Sequence, residues 1–359
     1  MKSLGLRSFT ARPWMLRNAE DKGEMGMDGA LRLWVDGGTT NTRFTLTRGE
    51  EVVERTCRRV GAANADLSLR NAPLAAAVAD EIAALESRHG ARIERICASG
   101  MITSQNGLLE VPHLSAPAGL YELARGVRTV RLAEVSQTAP VDFIPGVRCG
   151  EGMAADVMRG EETEIMGWKE KETGNRLFLH FGSHNKAILV KEGRIVQSLT
   201  TLSGELLYAV THDTILRSAA GGEPPAVFLA EDAERGFEAA VAGGATRALF
   251  EARLYAIQCD KTPAQVYAFL VGALVQQDLL AFEPLLRRGA DEIVLYGREA
   301  FVRAFLSRLR AENTRTVSHQ ESEWLSFHGM RRIMRAREQM EDVSKWRTLD
   351  SSALGVKIV

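Results

Sequence analysis

Two segments of this 359-residue chain repeat one another 144 positions apart, and that repeat narrows the folds open to it. The first is Leu33-Trp34-Val35-Asp36-Gly37-Gly38-Thr39-Thr40-Asn41-Thr42-Arg43-Phe44. The second is Leu177-Phe178-Leu179-His180-Phe181-Gly182-Ser183-His184-Asn185-Lys186-Ala187-Ile188. Laid over each other without a gap, they put Gly38 on Gly182 and Asn41 on Asn185; further on, Gly49 meets Gly193 and Val52 meets Val196. Each copy reads as an apolar strand, a Gly-Ser/Thr turn, a second strand, a glycine turn and a third strand. A period this long is not that of a solenoid. It predicts a duplicated domain whose two hairpin loops face each other across a cleft.

Such loops have a chemistry. Without a Cβ in the way, backbone N–H groups can approach an anion closely, and Thr39, Thr40 and Ser183 add hydroxyl donors. Two facing turns can hold a polyphosphate from both sides. One alone would read as an ordinary hairpin, for which Gly and Asn are the usual residues. The matched pair, with an acid only in the first copy, favours phosphate binding.

The rest of the chain is consistent with this. With 45% hydrophobic residues there is enough apolar material for two domains. The net charge of −1 leaves no footprint for nucleic acid or an anionic membrane. Cys57, Cys97, Cys149 and Cys259 show no close pair and no metal-ligand spacing, as expected in a reducing cytoplasm. No apolar run looks long enough to span a bilayer. Residues 1–30 mix charges with Met and lack a secretory h-region, so they read as a disordered or spurious extension. Residues 338–359 read as a frayed tail, and Arg331, Arg332, Arg335 and Arg337 as the solvated face of a last helix.

Between these ends the pattern alternates. A helix is expected from Pro73 to His89, with Gly90 after it, then a strand from Arg92 to Cys97 and one or two strands between Thr129 and Val147. A helix opens at Arg159-Gly160-Glu161-Glu162, before the second repeat at about 176–203. Two helices follow, about 231–256 and 263–283, the second capped by Thr262, Pro263 and Gln265. A strand from Glu292 to Tyr296 ends at Gly297, ahead of a helix near 298–312 and a strand from Arg315 to Val317. Strand triplets followed by alternating helices and strands, given twice, predict two α/β domains of one plan, 31–155 and 156–337. That plan is the actin-like (ribonuclease H-like) fold of sugar kinases.

Four segments carry a family resemblance. Asp36 to Arg43 resembles the first phosphate loop of sugar kinases, D-x-G-x-T-x-x-R. Ala98-Ser99-Gly100-Met101-Ile102 resembles an A-G-M-[IV] loop, Met158-Arg159-Gly160-Glu161-Glu162-Thr163 matches M-R-G-E-E-T, and Leu202-Ser203-Gly204-Glu205-Leu206 resembles T-G-E-L. In this order, over about 31–335, they are similar to the 2-dehydro-3-deoxygalactonokinase family. The second loop departs from the family's P-G-T-H-x-K-W, keeping His184 and Lys186 but carrying Phe181 and Ala187. Thr103 to Leu108 and Trp324 to Gly329 also differ from the family pattern.

The resemblance implies ATP, Mg²⁺ and a small sugar-acid acceptor, with no nucleic-acid or membrane partner; a homodimer is left open. It implies Mg²⁺ held by Asp36 through water, against the plainer reading of a turn-capping acid. Gly37, Gly38, Thr39, Thr40, Asn41, Arg43, Gly182 and Ser183 would contact phosphates, and Gly297 the adenosine. Glu161 would accept the acceptor's proton beside Arg159, with Glu162 able to exchange roles with it; the plainer reading is an acidic first helical turn. Ser99, Met101, Ser104, His184 and Lys186 would line the acceptor site. Arg159 or Lys186 would meet its carboxylate, unless Lys186 touches the transferred phosphate. His89, His113, His212 and His319 show no metal-ligand spacing. Two rival readings stand beside this one: a non-catalytic binding module of the same fold, and an actin-like ATPase.

Overall fold

A computed structural model describes residues 29–62, 71–168, 174–309 and 313–353. The expectations for residues 1–28 and 354–359 lie outside the described residues. Strands β1 (Leu31–Gly37), β2 (Thr42–Arg48) and β3 (Glu51–Arg58) form an antiparallel meander. Helix α1 (Ala72–His89) begins with a proline in its first turn and ends at Gly90 in the left-handed region, φ 60°, which a residue without Cβ adopts freely. It leads to β4 (Ile93–Gly100), parallel to β1. After β5 (Leu114–Ser115), α2 (Leu120–Gly126), β6 (Arg128–Val130), β7 (Val141–Phe143), β8 (Val147–Cys149) and β9 (Asp156–Met158), two sheets are complete. One runs β3-β2-β1-β4-β7-β6; the other is a small β5-β8-β9 sheet. The segment read as one or two strands thus holds three, and the last belongs to a different sheet.

Helix α3 (Glu161–Gly167) opens the second half. β10 (Asn175–Phe181), β11 (Asn185–Lys191) and β12 (Arg194–Thr201) repeat the meander. There follow α4 (Ser203–Asp213), α5 (Arg217–Ala220), α6 (Ala230–Gly243), α7 (Ala245–Gln258), α8 (Pro263–Leu286), β13 (Glu292–Gly297), α9 (Glu299–Leu306), β14 (Thr314–Thr316) and α10 (His319–Ala353). Their sheet runs β12-β11-β10-β13-β14, so both halves share one plan, a meander joined through its first strand to a parallel neighbour.

The repeat is real, but its offset changes at the turn. β10 begins 144 residues after β1, whereas β11 and β12 begin 143 after β2 and β3. Residues 38–41 connect the first hairpin and only 182–184 the second. The register therefore pairs Asp36 with Arg43 and His180 with Lys186. Lys186, not Ala187, is the structural mate of Arg43, and Asn185 that of Thr42.

The longest described core helix is α8. Its capping box holds, with Thr262 N–H donating to Gln265 Oε1 at 3.1 Å. It is apolar on every side, and residues Val266 to Val275 are all buried. By length and composition it could cross a membrane, against the expectation of no such segment, yet most of its apolar window is buried inside the protein. The single helix expected over 231–256 is two, because Gly244 at φ 79° breaks the turn between α6 and α7. α9 is also shorter than expected.

α10 seals the interdomain side. It packs on α3 backbone to backbone: a Cβ on Gly329 would fall 1.7 Å from Thr163 O, and one on Gly167 would fall 2.0 Å from Leu325 O. Contrary to the expectation of a solvated face, its arginines are not all solvated. Arg332 Nη1 donates to Met166 O and Trp168 O, and Arg337 Nη1 to Val127 O, tying the helix to both halves. α10 also continues past Arg337, where Glu338 pairs with Arg32, instead of fraying there.

Candidate active site

The cleft between the two larger sheets encloses about 850 Å³ and lies at the carboxyl ends of β1, β4, β10 and β13. Asp36, Gly37, Gly38, Thr39, Thr40, Asn41 and Arg43 line one wall, and Gly182, Ser183, His184, Lys186 and Gly297 the other. Met101, Ser104, Arg159 and Glu161 line it as well. The fold thus gathers both loops and the M-R-G-E-E-T segment around one space.

Two residues expected here do not reach it. Glu162 is fully buried, and both its oxygens accept from Gly160 N–H, at 3.0 and 2.8 Å, while Thr163 Oγ1 donates to one of them. Burial and the neighbouring Glu161 charge push its pKa up to about 8. It holds the start of α3 and cannot exchange roles with Glu161. Ser99 is likewise buried, its Oγ 3.4 Å from Ser326 Oγ. Ser99 stands behind the wall, not in it.

Asp36 ends β1 with its side chain 23% exposed and Arg43 Nη1 3.4 Å from Oδ2. Burial raises its pKa; Arg43 and the Ser326 hydroxyl oppose the rise. Mg²⁺ is commonly held by one or two carboxylates, with waters and phosphate oxygens completing its shell. Asp36 beside a glycine-hydroxyl loop fits that donor set. Among the described residues no group of three or more His, Cys, Asp and Glu could hold an ion without such help.

The second loop is fixed from beneath. Asp278 of α8 is fully buried and accepts from Asn185 Nδ2 at 2.7 Å, Thr201 Oγ1 at 2.6 Å and Ser203 Oγ. Glu205 N–H donates to Ser183 O at 2.7 Å, and a Cβ on Gly204 would fall 1.9 Å from Gly182 O. His184 Nε2 meets Glu205 Oε2 at 3.0 Å on an exposed rim. Replacing Asp278 by Ala strands three donors in the interior. The variant is expected to lose roughly 3–5 kcal/mol of stability in urea unfolding; a loss below about 1 kcal/mol would show that this cluster is not the loop's anchor.

Toward the acceptor side, Arg159 Nη1 donates to Thr103 Oγ1 at 2.9 Å, and Nη2 to Val111 O at 2.6 Å. Burial, helped by the Arg159 charge, lowers the pKa of nearby His113 to about 4. Lys186 Nζ donates to Val157 O and Thr200 Oγ1 at 3.0 and 2.9 Å and stands 3.9 Å from Glu161 Oε1. Glu161 Oε2 is buried without a partner.

A sequence model of the 2-keto-3-deoxy-galactonokinase family matches residues 36–333. The chain belongs to that family. Membership makes it a kinase, a nucleotide-using enzyme that phosphorylates an alcohol group of a small molecule. A Rhizobium meliloti protein described as a probable 2-dehydro-3-deoxygalactonokinase is 30% identical over 121 residues, 33% of this chain and 38% of that protein. The Escherichia coli K12 2-dehydro-3-deoxygalactonokinase is 26% identical over 244 residues, 67% of this chain and 76% of its own. A crystal structure from Sinorhizobium meliloti, described as a putative 2-dehydro-3-deoxygalactonokinase protein, superposes with TM-score 0.66 at 21% identity. It covers 85% of this chain and 98% of that one, which establishes the fold.

Among the cleft residues that escape sequence reasoning are His180, Glu164, Tyr296 and Arg298. His180 had one signal, its place on β10 where β1 carries Asp36. Glu164 had its spacing of three from Glu161, on the same helical face. Tyr296 and Arg298 flank Gly297 and had no signal of their own.

Proposed function

We propose that this kinase uses ATP and Mg²⁺ to phosphorylate the primary hydroxyl of 2-dehydro-3-deoxy-D-galactonate or a related 2-keto-3-deoxy sugar acid. The observation that carries the reading is Glu161. Its carboxylate has one buried, unpartnered oxygen and sits in a cleft walled by two glycine-hydroxyl loops, only one of which brings its own acid. Bound Mg²⁺ neutralises phosphate charge, and Asp36 would hold it. Thr39 and Thr40 on one side and Gly182 and Ser183 on the other present N–H and O–H donors to the phosphates, while Gly38, its own N–H donated to Asn41 O, leaves the approach clear of a Cβ. The acceptor hydroxyl attacks the γ-phosphorus, the bond to the ADP oxygen breaks, and Glu161 takes the hydroxyl proton. Lys186 supplies positive charge beside that carboxylate, and Arg159 ties the acceptor wall together from Thr103 to Val111. Free cysteines throughout suit a reducing cytoplasm.

The test is ADP release with and without 2-keto-3-deoxygalactonate. Release that depends on acceptor, with a phosphorylated sugar acid as product, is expected. Turnover without acceptor would favour an ATPase, and binding of both ligands without product a sensor.

A further inference from the structure

His180 has no role in that scheme, yet it is built into the centre of the cleft. Its Nδ1 is buried without a hydrogen-bond partner and lies 3.7 Å from Oε1 of Glu161, whose Oε2 is also buried and unpartnered. Native proteins seldom leave two such atoms open within one site. The separation exceeds a hydrogen bond by less than an ångström.

The imidazole is held on two sides. Tyr296, its register neighbour on β13, packs against it with centroids 4.9 Å apart and rings tilted by 42°. The Tyr296 hydroxyl donates to Glu164 Oε2 at 3.0 Å, and Glu164 stands on α3 beside Glu161. Gly182 closes the other side, since a Cβ there would come within 2.8 Å of His180 Cε1. Burial, aided by the Lys186 and Arg298 charges, lowers the His180 pKa against the pull of Glu161. That shift favours the neutral ring, which carries its proton on one nitrogen. Lys186 gives two of its three N–H donors to Val157 O and Thr200 Oγ1 and stands 3.9 Å from Glu161 Oε1, farther than His180 Nδ1.

We propose that His180 is a positioning residue for Glu161: its Nδ1–H closes onto the carboxylate as the cleft shuts and fixes the oxygen that meets the acceptor hydroxyl. The catalytic consequence rests on the kinase reading; the contact does not. A ring that merely fills space beside Tyr296 would carry its proton on either nitrogen and ignore Glu161.

The contact is read by long-range ¹H–¹⁵N correlation on the full chain labelled at histidine, with the His180 signals assigned by their loss in His180→Phe. The Nδ1–H tautomer is expected, with its Nδ1 shift moving in Glu161→Gln. An Nε2–H tautomer indifferent to Glu161→Gln overturns the proposal whether or not the enzyme turns over. Kinetics add a second arm. His180→Asn puts an amide nitrogen where Nδ1 was and is expected to keep most of kcat. His180→Gln places it at the Nε2 position and is expected to lower kcat about 10- to 100-fold with KM for ATP unchanged. Equal kcat values in the two variants overturn the proposal. Failure of the kinase reading shows separately, as wild-type protein without acceptor-dependent turnover.

Discussion

Asp36→Asn is expected to lower kcat by about 10³-fold, a loss of about 4 kcal/mol of transition-state stabilisation, while the sugar acid still binds. Asparagine preserves the side-chain shape, so the end of β1 and its pairing with β2 should persist. What goes is the formal charge that would hold Mg²⁺ and balance Arg43, 3.4 Å away. A metal held by a single protein carboxylate depends on it more than one held by several, and no other acid cluster among the described residues offers a substitute. Steady-state rates at several Mg²⁺ concentrations, with a thermal-shift titration of 2-keto-3-deoxygalactonate, separate the two effects. A variant within tenfold of wild type at saturating Mg²⁺ would remove Asp36 from the metal site. One that no longer binds the sugar acid would show a structural role.

How much of this could be read from the sequence depended on how local each feature is. The two meanders were legible because each is continuous in the chain, with its glycine turns between apolar strands. The one-residue difference between their loops was not, since a gap-free overlay hides a deletion placed among small residues. That difference matters: it makes Arg43 and Lys186 mates, each opposite the residue, Asp36 or His180, that ends its own β1 or β10 face. Glu161 and Glu162 are neighbours in sequence but about 100° apart on a helix, and only the packing of α3 against α10 decides which faces the cleft. Asp278 lies 93 residues from Asn185 and reads as a stray polar group in an apolar helix until the fold joins them. The break between α6 and α7 was visible as Gly243-Gly244, but the helical period continues across it.

The same helix gives the other large effect. Glu161→Gln is expected to lower kcat by about 10²-fold with KM for the sugar acid changed by less than about tenfold. The loss lies at the lower end for a general base because phosphoryl transfer through a loose transition state leaves the acceptor proton in place until late. Glutamine is isosteric, and no hydrogen bond to the Glu161 carboxylate is made in the free enzyme, so the α3 start should keep its shape under Glu162 and Gly160. The substitution removes a proton acceptor and adds a donor facing Lys186 and His180. Urea unfolding of the variant should match the wild type, a result that simple loss of packing would not give. If Glu161→Gln stays within threefold of wild type in kcat, the acceptor proton leaves by another route. Water or the His180 ring is then the candidate acceptor, because Glu162 is sealed beneath Gly160 and Glu164 Oε2 accepts from Tyr296.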